Sequence, residues 1–398
     1  MKVRLGDVCD ILNGFSFKSD KYVKEGIRII RIANVQKGYV EDDDPVYYPL
    51  DSSGLEKYML EEDDLLISLT GNVGRVALLQ KDMLPAALNQ CVACLRLKNN
   101  VLTKGFLFHV LNSNLFEQRC IHSSKGVAQK NMSTEWLKNY EIPLYSIEKQ
   151  LKITKILDNV KQIINSRQKE LSDLDTLIKA RFVEMFGDPV LNSFGWCRVS
   201  LSEVTSKIGS GATPKGGKES YRSEGISLIR SMNVHDGKFK YKDLAHITEK
   251  QAKQLNNVIV EENDVLVNIT GASIARTCVV PKNVLPARVN QHVAIIRCDC
   301  EQVQPVFLNN LFLNIRFKKM LLSMGENGGA TRQAITKQQL ENMDVIVPPL
   351  SLQNEFAAFV QQIDKLRFGG RKRLTKAKNT KNNNRNTITL ERSTLYGK

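Results

Sequence analysis

The sequence predicts a mixed α/β (α+β) protein made of two tandem copies of one domain, each copy running into a long helix. Three observations predict it. The chain matches itself at an offset near 200, strand-like and helix-like apolar spacings alternate inside each match, and each match ends in apolar residues at heptad spacing.

The repeat comes first because it decides how every motif is interpreted. Ile27 to Val35 (IRIIRIANV) matches Ile226 to Val234 (ISLIRSMNV). EEDDLLISLTG from Glu61 matches EENDVLVNITG from Glu261, with six of eleven positions identical. Leu84-Pro85-Ala86 with Asn89-Gln90 matches Leu285-Pro286-Ala287 with Asn290-Gln291, and IPLYSIEKQ from Ile142 matches VPPLSLQNE from Val347. A period this long excludes a solenoid of short units, so each copy must carry its own core.

Within a copy, Ile27 to Ile32, Leu65 to Leu69 and Val92 to Leu97 alternate as half-buried strands do. Lys104 to Ile121 and Pro305 to Leu322 space their apolar residues as helices. From Ile153 an a/d register runs through Leu157, Val160, Ile164, Leu171, Leu174, Ile178 and Met185, interrupted by Arg167 and Arg181. Gly187-Asp188-Pro189 supplies the stop. A second helix begins at Leu352 with Phe356, Phe359, Val360 and Ile363 on its seam, and its pattern fails after Leu366. The predicted division is therefore a first domain over 1–146, a helix over 147–187, a second domain over 188–350, a shortened helix over 351–366, and a disordered basic tail over 367–398.

A chain of 398 residues with 42% hydrophobic and 25% charged residues can build two ordinary cores. Its formal net charge of +15 points to a polyanionic partner. The excess is uneven: from Arg367 onward ten Lys or Arg face the single acid Glu391, leaving +6 for everything before. No stretch approaches the ~20 consecutive apolar residues of a membrane helix, and MKVRLGDVCDILNG lacks the apolar core of a signal peptide. These features predict a cytoplasmic protein with no membrane partner.

The chemistry-bearing motifs are mostly negative. Gly211 and Gly216 are spaced as in a phosphate loop, but Gly217 stands where Lys is required and Glu219 follows Lys218, so no nucleotide site is expected. Cys91-x-x-Cys94 and Cys298-x-Cys300 suggest zinc, yet Cys91 and Cys94 correspond to His292 and Ile295 in the other copy. Buried free thiols and no metal are the expectation. His109, His122, His235, His246 and His292 are scattered without an acid or nucleophile at motif spacing. The chain also lacks a glycine-rich dinucleotide fingerprint and an Asn-Pro-Pro-aromatic signature, which excludes a solitary methyltransferase and predicts a non-catalytic protein.

Several segments together are specific: GSGATPKGG at Gly209, DDLLISLTG and NDVLVNITG, the LPA-x-x-NQ runs, the IPL and VPPL segments leading into the helices, and ARFVEMFGDP closing the first helix. On these the chain, to about Leu366, closely resembles the specificity subunit of type I restriction-modification enzymes. The resemblance implies two tandem target recognition domains separated by long coiled-coil spacer helices. Each domain would read one half of a split site in double-stranded DNA. The helices, packed antiparallel, would set the gap and dock two methyltransferase subunits, and restriction subunits through them. No cofactor is expected on this chain, and S-adenosylmethionine, ATP and magnesium belong to the partner subunits. The resemblance also implies a second spacer as long as the first, from which the sequence departs after Leu366. A coiled-coil scaffold, or an inactive or variant specificity protein without DNA readout, is the competing reading.

Candidate DNA contacts are placed on loops that follow strands, where side chains vary on a fixed scaffold. In the first copy they are Lys18, Arg31, Asn34, Thr70, Asn72, Arg75, Asn89, Gln90, Lys125, Gln129 and Lys130. In the second they are Lys215, Lys218, Arg230, Asn233, Thr270, Ser273, Arg276, Asn290, Gln291, Arg332 and Gln333. Arg and Lys suit guanine or phosphate, and Asn and Gln suit adenine edges. The plain alternative for each is a solvated charge or a turn-forming side chain. Residues kept in both copies, such as Arg31 with Arg230, more readily grip phosphate or hold a loop than specify a base.

Overall fold

The computed structural model describes residues 1–124, 130–214, 217–326 and 333–390, with backbone alone at 218, 384 and 386–390. The chain divides into two compact units: Met1–Lys169 together with the chain from Arg371, and Glu170–Gly370. Among the described residues no helix is long and apolar enough to cross a membrane.

In unit 1, β1 (Cys9–Asn13), β2 (Leu65–Ser68), β3 (Val76–Leu78) and β4 (Val92–Leu97) form an antiparallel sheet in the order β1-β4-β2-β3. Every residue of β2 is buried. Since successive side chains point to opposite faces, Leu65 and Ile67 enter a core with Phe106, Leu107 and Leu111 of α1 (Lys104–Leu111). Leu66 enters another with Ile30, Val35 and Leu88. The sheet is thus a middle layer, between helices and a smaller mixed sheet of Tyr47–Tyr48, Ile27–Ile30 and Ala86–Leu88. This corrects the expectation of half-buried strands: a sheet covered on both faces reads as a continuous apolar run.

The predicted helix over Lys104 to Ile121 is also two, α1 and Asn114–Ser123, because the Ser113 hydroxyl caps the second by accepting from the Phe116 N–H at 3.1 Å.

Unit 1 holds the first half of α2 (Ile147–Phe186), whose Leu157 and Ile164 are buried and Val160 partly so. Buried Gln150 locks the helix start: its Oε1 accepts from the Thr103 N–H at 2.7 Å, and its Nε2 donates to the carbonyls of Val101 and Tyr145.

Unit 2 repeats the plan. β5 (Thr205–Ser210), β6 (Val265–Asn268), β7 (Thr277–Val279) and β8 (Val293–Cys298) take the order β5-β8-β6-β7. Val265 and Val267 face Phe307 and Leu308 of α3 (Pro305–Leu313), whereas Leu266 faces Leu228, Ile229 and Val289. The expected helix to Leu322 again breaks, at Asn314, and resumes as Ile315–Glu326. Gln353, on α4 (Leu350–Leu390), reproduces the Gln150 lock through the Gln304 N–H at 2.9 Å and the carbonyls of Gln302 and Pro348. Gln150 therefore pairs with Gln353, which moves the repeat register at Ile142 by two residues: Ile142 corresponds to Val345 rather than Val347.

The second half of α2 packs antiparallel on the first half of α4 within this unit. Arg181 pairs with Glu355 at 2.8 Å, Asp175 with Arg367, and Leu171 lies over Gly370, where a Cβ would come within 3.1 Å of its Cδ2. Phe182 and Phe186 close on Phe307 and Phe356 with ring centroids 4.8–5.6 Å apart. Ile178, Phe356, Val360 and Ile363 are buried, and Leu171, Leu174, Met185 and Phe359 partly so. Gly187 ends α2 at φ +73°, the conformation that favours glycine after a helix.

The break expected at Leu366 is not found, for α4 continues to Leu390. Composition misled here because the Lys and Arg of the tail are good helix formers and tertiary contacts hold the helix. In unit 1, Arg385 is buried and donates to the Asn112 carbonyl and to His109 Nδ1, both at 3.0 Å. As Arg is always a donor, Nδ1 accepts and Nε2–H donates to Asp158 Oδ1 at 2.8 Å. Burial, then the Arg385 charge, pushes the His109 imidazole down to about 4. Burial likewise holds Arg385 down to about 10 and Lys381 down to about 8.

Candidate nucleic-acid interface

At one end of each middle sheet four chain segments are laced together by their backbones. In unit 1 the Leu69 N–H donates to the Cys91 carbonyl at 3.0 Å, Met132 to Leu69 at 2.8 Å, Gly71 to Lys130 at 2.8 Å and Gln90 to Phe15 at 3.0 Å. In unit 2 Ile269 donates to His292 at 3.0 Å, Ile335 to Ile269 at 2.8 Å, Gly271 to Gln333 at 3.0 Å and Gly211 to Asn290 at 3.2 Å. Three segments in each unit leave β1 and β2, or β5 and β6, and enter β4 or β8, and the fourth precedes the short helix Thr134–Asn139 or Lys337–Glu341, so this rim is one framework built twice. Two glycines permit the lacing. A Cβ on Gly14 would lie 2.2 Å from Asn89 backbone atoms, and one on Gly211 1.8 Å from the Val289 oxygen.

This rim brings together Thr70, Asn72, Asn89, Gln90 and Lys130 in unit 1, of which Asn72, Gln90 and Lys130 are exposed. Lys18 is exposed three residues past Phe15, which bridges Asn89. In unit 2 the rim gathers Thr270, Ser273, Asn290, Gln291 and Gln333, with Gln291 and Gln333 exposed. The Thr213 hydroxyl holds the Gln291 side chain, and Gln333 Nε2 lies 3.3 Å from Glu326. Half-buried Arg75 and Arg276 stand behind the rims. Arg75 bonds Gln36, and at the corresponding place burial and the charges of Lys240 and Arg276 keep the His235 imidazole below its usual range.

Other candidates serve their own loops. Asn34 and Asn233 are only 5% and 0% exposed, so neither can touch a base. Asn34 accepts from the Arg31 N–H at 2.8 Å and donates to the Glu41 carbonyl at 2.8 Å; Asn233 does the same with Arg230 and Lys240 at 3.1 and 2.9 Å. Arg31 closes that loop on Asp44 at 3.2 Å and Arg230 on the Asp243 carbonyl. These are staples, because a buried amide needs its bonds satisfied. Asn290, 5% exposed, accepts from the His292 N–H at 3.1 Å, and Asn89 from Cys91 at 3.4 Å, so both shape the strand start. The Ser273 hydroxyl accepts from buried Asn268 at 3.2 Å. Lys125, Gln129, Lys215 and Arg332 lie outside the described residues, and Lys218 is described by its backbone alone.

Among the described residues no group of three or more His, Cys, Asp or Glu side chains is placed to hold a metal ion. The cysteines are free, with Cys94 buried in the sheet and Cys91 half-exposed at the rim. Sequence reasoning passed over His292, which occupies the Cys91 position at the rim and bonds Thr270. The repeat alignment was the signal that could have singled it out.

A family model for the type I restriction modification DNA specificity domain matches residues 1–174 and 195–379. The chain is similar to the type I restriction enzyme EcoBI specificity subunit of Escherichia coli, 24% identical over 393 residues, covering 91% of this chain and 79% of that protein. It is 33% identical over 167 residues to the EcoAI specificity subunit of the same organism, covering 41% of this chain and 28% of that one. A crystal structure of the type I restriction-modification S subunit from M. genitalium shares the fold, with a TM-score of 0.57 at 15% identity, over 98% of this chain and 96% of that one.

Proposed function

Because the chain belongs to the type I restriction modification DNA specificity family, we propose that it is the sequence-reading subunit of such a complex, with one half-site of a bipartite, asymmetric DNA target read at each rim. The observation that carries this is a framework built twice and dressed differently: Cys91 against His292, Gln36 against His235, Asn72 against Ala272. A shared mount with unlike side chains is what two readers of unlike sequences require, since phosphate contacts position and base contacts specify.

Methyl transfer and cleavage reside on partners in this reading. S-adenosylmethionine, ATP and magnesium belong to them, and this chain is non-catalytic and cytoplasmic. The long helices α2 and α4 set the gap between half-sites and dock two methyltransferase subunits, with restriction subunits joining through these. Supporting the docking, Ile156 and Ile163 of α2 and Leu366 and Phe368 of α4 stand exposed although apolar.

The test is co-expression with methyltransferase subunits followed by genome-wide mapping of methylated adenines. The expected result is a motif of two defined halves around an unspecified gap; a single contiguous motif, or none, overturns the proposal.

A further inference from the structure

His292 stands at the start of β8, on a backbone fixed in the same way as that of Cys91 in unit 1. Its N–H is held by Asn290 as that of Cys91 is by Asn89, and its carbonyl accepts from Ile269 as that of Cys91 does from Leu69. The mount is constant and the side chain is exchanged. The exchange also changes chemistry: His292 Nδ1 lies 2.6 Å from the Thr270 hydroxyl, whereas Thr70 keeps the hydroxyl in unit 1 and Cys91 makes no side-chain hydrogen bond among the described residues.

A neutral imidazole has one donor and one acceptor nitrogen, and whatever fixes one assigns the other. The Thr270 hydroxyl can donate to Nδ1 or accept from it, and where it donates the proton sits on Nε2. That nitrogen has no hydrogen-bond partner among the described residues, on a half-exposed side chain beside exposed Gln291. The ring is oriented by the protein and its second nitrogen is left for something else.

We propose that the Thr270 hydroxyl donates to Nδ1 and that His292 is a specificity-determining residue of unit 2, its Nε2–H reading a hydrogen-bond acceptor on a base edge of the half-site at that rim, with Thr270 as the positioning residue. This rests on the DNA-reading function proposed above. Acceptors of the right kind on the major-groove edge are guanine N7 and O6, adenine N7 and thymine O4. Thr270, a candidate contact from sequence, becomes the residue that aims the contact.

The experiment maps methylated sites made by the assembled methyltransferase complex carrying wild-type chain, His292→Ala, His292→Cys, His292→Gln or Thr270→Val. Cysteine is the residue unit 1 carries on this mount, so it keeps the variant foldable. Ala and Cys are expected to lower discrimination at one base position of one half-site on the order of 10-fold, leaving the other half intact. Gln, which reaches a donor to the same place, is expected to keep most of it. Thr270→Val should blur the same position less, and should add nothing in the His292→Cys background, where a merely structural threonine would still show an effect. Unchanged discrimination in His292→Ala, or equal loss at both halves, overturns the proposal. A wild-type complex that yields no bipartite motif instead fails the function on which it rests.

Discussion

Arg96 closes on Asp64 through two parallel hydrogen bonds, Nε to Oδ1 at 2.9 Å and Nη2 to Oδ2 at 2.7 Å, and Arg297 repeats the fork on Asp264 at 2.8 and 2.9 Å. The carboxylates are buried and also accept from the Glu61 and Glu261 N–H groups, while each guanidinium reaches one more carbonyl, that of Met59 or Ile259. Each fork fastens the turn before β2 or β6 to the far end of β4 or β8. Removing the acid leaves the Arg96 guanidinium with the exposed Glu61 carboxylate at 3.2 Å as its remaining ion-pair partner among the described residues, and leaves the Glu61 N–H unmet. Because Arg96 keeps a side-chain exposure of 30%, Asp64→Ala is expected to cost about 2–3 kcal/mol, below the ~3–5 of a fully buried pair. Urea unfolding measures it, and a loss under about 0.5 kcal/mol, ordinary for a surface pair, would show that the fork holds nothing.

The sequence made the duplication and most elements legible because burial leaves a period, of 2 for strands and 3.6 for helices. The forks left none: Asp64 and Arg96 are 32 residues apart, and only their recurrence at Asp264 and Arg297 marks them. The helix beyond Leu366 was illegible for the opposite reason, since its composition is that of a free chain and what orders it is a contact with α1 far away in sequence. At the rims, residue type pointed to loops that the fold gathers at one end of each middle sheet. It could not separate Gln90, exposed, from Asn34, turned inward to staple its own loop, because that distinction is burial.

Thiol reactivity reports the packing directly, because the thiolate is the nucleophile. Burial pushes Cys9, Cys278 and Cys298 up to about 12, and raises Cys94 and Cys120 as well. Cys197 and Cys300 are exposed and Cys91 is half-exposed. With Ellman's reagent at mildly alkaline pH, Cys197 and Cys300 are expected to react first, Cys91 more slowly, and the five buried thiols only with denaturant. Rapid modification of Cys94 or Cys278 in the native protein would contradict the covered middle sheets.

His109 makes the stability of unit 1 depend on pH. Its folded value, about 4, lies below the ~6.5 of an unfolded chain, so the unfolded state takes up a proton that the native state refuses. The contribution is complete above ~6.5 and is lost as pH falls from there towards about 4, to the extent of on the order of 2–3 kcal/mol. Around the ring stand Asp158 of α2, Arg385 and Lys381 of α4, and beyond them Lys161 and Lys37. Lys381, held at about 8, acts in the same direction at higher pH, its stability growing as pH rises. Unfolding free energies at pH 7.5, 6 and 5 should fall more steeply for wild type than for His109→Asn, and parallel slopes would remove His109 as the cause.

The last half of α4 is expected to matter to unit 1, against what its composition suggests. Cutting the chain after Leu366 removes both Arg385 donors, so the Asn112 carbonyl and His109 Nδ1 lose partners in a buried place. Each unmet group costs about 1–3 kcal/mol, offset in part by water entering the opened site. Arg385→Met, which keeps the bulk of the side chain and drops its donors, isolates that loss from the loss of the helix. Both variants should melt lower, by about 2–4 °C per kcal/mol for a unit of this size, with the truncation the more severe. Trypsin should cut wild type between Arg371 and Lys381 slowly and the Arg385→Met variant faster, since the same helix is then held less firmly. If trypsin clips wild type there at once and the truncated chain melts where the full one does, the tail is free and the Arg385 contact contributes nothing.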